Sequence, residues 1–120
     1  MKNRIRFISH KGKKILLADA SNFSAEELVQ MAPLVLTRVT AEPRGSVLLL
    51  ADFTGSTVDK KSLETLKPAL VLDRPYLKRS AWVGTENLPK IFYEHLKSFS
   101  QRDLPTFKTR EEALDWLVED

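Results

Sequence analysis

The sequence predicts one α/β domain in which a mixed, mostly parallel sheet carries helices packed against it. Short apolar runs alternate with segments of helical periodicity along all 120 residues. Residues 47–51 are apolar without interruption, as in a strand buried on both faces of a parallel sheet. The predicted order is β-β-α-β-α-β-α-β-α, and no linker or internal repeat divides residues 1–120.

Turn residues and helix caps place the individual elements. The two opening strands alternate in hydropathy and flank a turn that contains Gly12, which predicts a hairpin. Ser24 with Glu27, and Thr109 with Glu112, have the spacing of a helix capping box. The predicted strands are residues 4–9 and 14–19, the apolar run 47–51 within 46–53, residues 80–83 within 76–84, and residues 104–108. The predicted helices are residues 24–39, 59–71, 88–99 and 109–118. The predicted core face of the third helix comprises Leu88, Ile91, Phe92, Leu96 and Phe99.

Two prolines fall inside predicted helices. Pro33 and Pro68 each lie nine residues beyond a helix cap, where proline removes a backbone hydrogen bond and kinks the helix. Two kinked neighbours either wrap around the sheet or open an apolar groove for a lipid-like molecule. The residues that would line such a groove are Met31, Val35, Leu66 and Leu70.

The loop after the central strand is the candidate binding site. In open α/β sheets, ligands bind outside the carboxyl ends of the strands near a topological switch point; Asp19 and residues 84–87 end the neighbouring strands. The helix that follows the loop offers free backbone N–H groups to an anion or a phosphoryl group. Ordinary turn and cap chemistry accounts for the same residue types. The predicted binding or switch residues are Asp52, Thr54, Gly55, Ser56, Thr57, Asp59 and Ser62.

Composition excludes several kinds of chemistry. The chain contains no cysteine, which excludes disulfides, thiol catalysis and Cys-ligated metal sites. His10 and His95 are the only histidines and lack the spacing of a zinc site or a catalytic triad. No phosphate-binding glycine motif and no nucleic-acid-binding signature is present. We therefore predict a protein that is not an enzyme, holds no metal or cofactor and binds no nucleic acid.

The charge is mild overall but concentrated at the start of the chain. The net charge is +3, and the residues before the first acid, Asp19, include six cations. This basic start either attracts phosphates or acidic lipid headgroups, or it protects an edge hairpin from aggregation. No apolar stretch reaches the roughly 18 residues of a membrane span, and the N-terminus lacks a signal-peptide core. These features predict a cytoplasmic protein. The six cations are Lys2, Arg4, Arg6, Lys11, Lys13 and Lys14.

Three segments resemble the SpoIIAA-like branch of the STAS superfamily, whose members are relatives of the bacterial anti-anti-sigma factors and are sometimes labelled STAS/SEC14-like. They are residues 47–55 (VLLLADFTG), 78–84 (KRSAWVG) and 107–117 (FKTREEALDWL). The resemblance implies a SpoIIAA-like fold and a bacterial, non-catalytic regulatory or protein-interaction module. Its partner would be a regulator or a kinase.

Family members that control sigma factors carry a phosphorylatable serine within Asp-Ser-Ser/Ala-Gly. The matching stretch here, residues 55–59, reads Gly-Ser-Thr-Val-Asp. It contains two hydroxyl residues but not the family's order. The function predicted first is an interaction module controlled by phosphorylation at Ser56 or Thr57. The alternative is a carrier of a small apolar, lipid-like molecule, an enzyme comes third, and a homodimer remains open.

Overall fold

A computed structural model describes residues 1–119, except for the side chains of Lys2 and Asn87. Within this part of the chain, five strands form one sheet. Four α-helices of the same part pack against that sheet. The strands are β1 (Ile5–His10), β2 (Lys13–Asp19), β3 (Val47–Asp52), β4 (Leu77–Val83) and β5 (Thr106–Phe107). The α-helices are α1 (Ala25–Thr40), α2 (Lys60–Leu72), α3 (Lys90–Ser100) and α4 (Arg110–Leu117). This architecture confirms the predicted α/β class, the mixed sheet and the order of the elements.

The strands lie in the sheet in the order in which they follow along the chain. β1 is antiparallel to β2, and β2 to β5 run parallel to one another. Among the described residues, each new parallel strand joins the sheet beside the strand before it, always on the same side. The order of the described strands in the sheet therefore never reverses. The expectation of a topological switch point is therefore wrong for this sheet. The carboxyl ends of β2, β3, β4 and β5 nevertheless share one edge, where the candidate loop lies.

The helices divide between the two faces of the sheet. α1, α2 and α3 contribute to a large apolar cluster on one face, and α4 contributes to a smaller cluster on the other. Successive side chains of β3 alternate between the two clusters, which explains why residues 47–51 are apolar throughout. No helix of the described chain is long and apolar enough to cross a membrane.

Of the two predicted capping boxes, the one at Ser24 forms in full, whereas Thr109 caps the Glu112 N–H without the reciprocal bond from its own backbone N–H. The Ser24 hydroxyl accepts a hydrogen bond from the Glu27 N–H (3.2 Å), and the Glu27 carboxylate accepts one from the Ser24 N–H (2.9 Å). Asp59 caps α2 in the same way. α1 and α2 both continue past their prolines. Pro33 and Pro68 are exposed, so water can bind the carbonyls that lose their helical partners.

The predicted core face of α3 is partly wrong. Phe92 and Leu96 are buried as expected, but Ile91 is 71% exposed and Phe99 is 53% exposed. The buried stripe continues instead to Ser100, whose hydroxyl donates to the Leu96 carbonyl (2.6 Å). The i, i+4 spacing from Phe92 explains this, because Ile91 and Phe99 each lie one residue, or about 100°, away from that stripe.

The structure also shows a repeat that the sequence analysis missed. Residues 16–19 and 49–52 both read Leu-Leu-Ala-Asp, and they pair in register in β2 and β3. Each strand is followed by a capped helix that carries a proline at the same distance from its cap. The connecting loop is two residues longer in the second unit, and that difference conceals the repeat when the sequence is read at one fixed offset.

Candidate functional site

The two repeated aspartates stand side by side at the carboxyl ends of β2 and β3. Asp19 and Asp52 are direct partners across the parallel pair. Asp19 accepts hydrogen bonds from the Ser21 hydroxyl (2.6 Å) and the Ser21 N–H (3.1 Å). Asp52 accepts the same two bonds from Thr54, at 2.6 and 2.9 Å. Each carboxylate therefore shapes the loop that follows its own strand.

One arginine joins the two aspartates. Arg110, the first residue of α4, contacts Asp52 Oδ2 through Nε (2.6 Å) and Asp19 Oδ1 through Nη2 (3.0 Å). Arg4 lies 3.5 Å from the same Asp19 oxygen. Burial by itself raises the pKa of Asp19, but hydrogen bonds from Ser21 and Arg110 outweigh it and lower that pKa. Likewise, burial opposes the charge of Arg110, but both aspartates raise its pKa.

Sequence reasoning did not assign a role to Arg110. The sequence feature that could have indicated such a role was the predicted cap at Thr109, which places Arg110 at the start of α4. That helix begins just after β5 ends, at the same edge of the sheet as Asp19 and Asp52. A cation at this place faces two carboxylates, which the repeated Leu-Leu-Ala-Asp motif would have indicated.

Backbone hydrogen bonds hold the strand-end loops together. The Asn22 N–H donates to the Thr54 carbonyl (2.7 Å), and the Thr57 N–H donates to the Phe23 carbonyl (2.8 Å). Gly84, at the end of β4, packs so closely that a β-carbon there would lie 2.3 Å from the Thr54 nitrogen. The backbone hydrogen bonds that join β2 to β3 thus continue into the loops that follow these strands. We name the exposed residues of this surface the strand-end platform: Asn22, Thr54, Gly55, Thr57 and Asp59.

The predicted switch loop divides into exposed and buried members. Thr54, Gly55, Thr57 and Asp59 belong to the strand-end platform, whereas Asp52, Ser56 and Ser62 are buried. The Ser56 hydroxyl donates to the Phe53 carbonyl inside the loop (2.8 Å). Ser62 completes the cap of α2 by accepting from the Asp59 N–H (2.9 Å). Thr57 is therefore the accessible hydroxyl of the two that the sequence singled out.

A small apolar cavity lies between α1, α2 and the sheet. Its volume is about 60 Å³, and all four predicted groove residues, Met31, Val35, Leu66 and Leu70, line it. Short side chains create the space, because five of its lining residues are alanines. The two alanines of the repeated motif, Ala18 and Ala51, pair across β2 and β3 beneath it. The lining alanines are Ala18, Ala20, Ala32, Ala51 and Ala69.

A buried ion pair lies at the border of this cavity. Arg102, whose side chain is 8% exposed, donates to Asp73 Oδ1 (2.9 Å), to the Leu70 carbonyl (3.0 Å) and to the Ser80 hydroxyl (2.7 Å). Burial raises the pKa of Asp73 to about 6 although the charge of Arg102 opposes that rise. Burial lowers the pKa of Arg102. Sequence reasoning missed this pair, since its members lie 29 residues apart in segments without a motif.

The remaining titratable candidates do not converge on a site. His10 contacts Asp115 (2.8 Å) at the end of β1, and His95 is exposed on α3. Over the described residues, no group of three or more histidines and acids lies where it could hold a metal ion. Comparison with protein-family models, curated proteins and solved structures found no match for this chain. The resemblance to the STAS superfamily therefore depends on the sequence pattern of its three segments.

Proposed function

We propose that this chain is a non-catalytic, STAS-like interaction module whose protein partner binds the strand-end platform. The observation that carries the proposal is the platform's construction. The loops after β2 and β3 are joined by backbone hydrogen bonds, Gly84 at the end of β4 packs against Thr54, and the two joined loops expose hydroxyl and amide groups to solvent. A rigid polar surface of this kind loses little conformational entropy when a partner binds.

The engaged carboxylates favour binding over catalysis. Asp19 and Asp52 are held by Arg110 and by the hydroxyls of their own loops. Asp59 is occupied as the cap of α2. A general acid or base must reach a reacting group with a free proton or lone pair, and each of these three groups would first have to give up its partner.

Phosphorylation at Thr57 is the form of control that this geometry supports best. Thr57 is exposed two residues before the cap of α2, whereas Ser56 is buried. A phosphate at Thr57 would approach the free N–H groups of α2 but also the carboxylate of Asp59. It would add about two negative charges to the platform, which we propose releases the partner.

The test is site-specific photo-crosslinking in cells of the source organism. Benzoylphenylalanine at position 57 is expected to capture one discrete partner, and the same group at Thr40, an exposed residue at the other end of α1, is expected to capture none. Excess wild-type protein should compete for the adduct, and Thr57→Glu protein should compete at least about 10-fold less well, which is about 1.4 kcal/mol of binding. Equal adducts at both positions, or equal competition, would contradict the proposal.

The second candidate function is binding of a small apolar molecule in the alanine-lined cavity. Its position between α1 and α2 agrees with the predicted groove. The cavity of about 60 Å³ is less than half of the roughly 150 Å³ that holds benzene in an engineered protein cavity. It therefore suits an occupant of a few carbon atoms, and an acyl chain would require α1 and α2 to separate.

Native mass spectrometry of the purified protein tests this candidate. An apolar ligand is expected to appear as an adduct that disappears in the denatured spectrum. Ala51→Leu, which fills the cavity from β3, should abolish the adduct, whereas the same change at exposed Ala41 should not. A native mass equal to that of the chain would leave the cavity as a packing gap alone.

A further inference from the structure

The end of the molecule opposite the strand-end platform carries a second surface. There the parallel strands begin and α1 and α2 end. Two contacts join the segments: the Gly45 N–H donates to the Pro75 carbonyl (2.9 Å), and the Arg44 guanidinium lies 5.7 Å from the centre of the Tyr76 ring. We call this surface the basic end and define it by Arg44, Arg74, Lys78, Val71 and Leu72.

The three cations of the basic end are exposed and not neutralised. Among residues 1–119, none of Arg44, Arg74 and Lys78 forms an ion pair. In contrast, Lys14 at the same edge is paired with Glu42 (2.9 Å). Three unpaired cations at one end of the molecule produce a positive potential that attracts anionic surfaces.

Exposed aliphatic side chains accompany these cations. Val71 is 42% exposed and Leu72 is 57% exposed in the last turn of α2, directly before the turn that contains Arg74. Removing large aliphatic groups from water is favourable in proportion to the apolar area that is covered. Beside unpaired arginine and lysine, they form the combination that binds the interface of a lipid bilayer.

We propose that the basic end binds the surface of an anionic lipid bilayer. Arg44, Arg74 and Lys78 contact headgroup phosphates, and Leu72 with Val71 enters the boundary between headgroups and acyl chains. A nucleic acid is disfavoured as the occupant because bases stack on free aromatic rings. The apolar residues of the basic end are aliphatic, and the Tyr76 ring lies under Arg44. The nearby exposed Phe99 ring lies under Lys67 (5.6 Å). This proposal is independent of the proposed function, which uses the opposite end.

Vesicle sedimentation tests the proposal with the full chain. Wild-type protein is expected to sediment with phosphatidylcholine vesicles that contain phosphatidylserine, more weakly as salt is raised, and not with phosphatidylcholine alone. The triple variant Arg44→Glu/Arg74→Glu/Lys78→Glu should bind at least about 100-fold more weakly, since each cation near such a surface is worth about 1 kcal/mol. Leu72→Ser should weaken binding without changing its salt dependence.

The matched control makes the same change of charge at the other end of the molecule. Lys60, Lys61 and Lys90 are exposed where α2 and α3 begin, and their triple change to glutamate should leave most of the vesicle binding. Circular dichroism confirms that each variant is folded. Absence of a preference for anionic vesicles, or an equal loss in the control, overturns the proposal. So does tighter binding to an oligonucleotide than to vesicles at the same salt.

Discussion

Replacing Arg102 with methionine is expected to lower the free energy of unfolding by about 3–5 kcal/mol near neutral pH. The guanidinium is almost fully enclosed and donates to the Leu70 carbonyl, the Asp73 carboxylate and the Ser80 hydroxyl. Methionine fills similar space but donates no hydrogen bond. It therefore leaves three acceptors without this donor and one carboxylate buried without its counter-charge.

The size of this loss should depend on pH in a defined direction. Burial raises the pKa of Asp73 to about 6 in the folded protein, above the unfolded value of about 4. The folded state thus holds this proton more tightly, so the stability contributed by Asp73 is complete below about pH 4 and is lost as the pH rises through about 6. Without Arg102 the pKa rises further, and stability continues to fall at higher pH. The penalty of Arg102→Met is therefore smaller near pH 4.5 than near pH 7.5.

Urea unfolding followed by tryptophan fluorescence measures this effect. Adding Asp73→Asn to Arg102→Met should remove the extra dependence on pH, because no carboxyl group then remains at that position. The matched control is Glu64→Gln, which breaks the exposed pair with Lys67 and should cost less than about 1 kcal/mol. An Arg102→Met penalty that equals the control, or that does not change with pH, would show that the pair is energetically unimportant.

Gly84→Ala is expected to cost about 2–5 kcal/mol, against about 1–2 kcal/mol for Gly45→Ala. Both glycines have the left-handed backbone conformation, with φ of +75° and +71°. A β-carbon at Gly84 would lie 2.3 Å from the Thr54 nitrogen and 2.5 Å from the Thr54 Cα, whereas at Gly45 nothing lies within 4 Å. Both variants therefore carry the same kind of backbone strain. Only Gly84→Ala also collides with the loop after β3.

The comparison of these two variants measures how tightly the strand-end platform is packed. Chemical denaturation gives the two losses, and amide chemical shifts report where the structure changes. Gly84→Ala should shift the amide signals of Asn22 and Thr54, whose backbones are hydrogen-bonded to each other. Gly45→Ala should leave those signals in place. Equal losses from the two variants would mean that the loop moves aside at no cost.

Local chemistry explains which parts of the fold were predictable. Capping boxes act through residues three apart, so Ser24 with Glu27 and Thr109 with Glu112 marked helix starts that the structure confirms. Apolar runs marked the strands for a similar reason, since burial on one or both faces sets the pattern of neighbouring side chains. The prediction that Ile91 and Phe99 are buried was wrong because apolar character by itself does not determine where on a helix the buried stripe lies.

The candidate sites depended on longer-range relations. Thr57 and Ser56 are adjacent in sequence and chemically alike, yet one is exposed and the other is buried against the Phe53 carbonyl. The bridge from Arg110 to Asp52 spans 58 residues, and the basic end combines residues from several segments. No local pattern encodes such contacts, because strand order and register create them.

By itself the sequence determined the α/β class, the order of the elements and the helix caps at Ser24, Asp59 and Thr109, since each follows from hydropathy and hydrogen bonding over a few neighbouring residues. Only the tertiary structure decided that the strands lie in chain order, that Asp19 and Asp52 share Arg110, and that Asp73 is buried with Arg102. The physical reason is that desolvation and charge pairing depend on distances in space, and the sheet brings together groups that the chain keeps far apart.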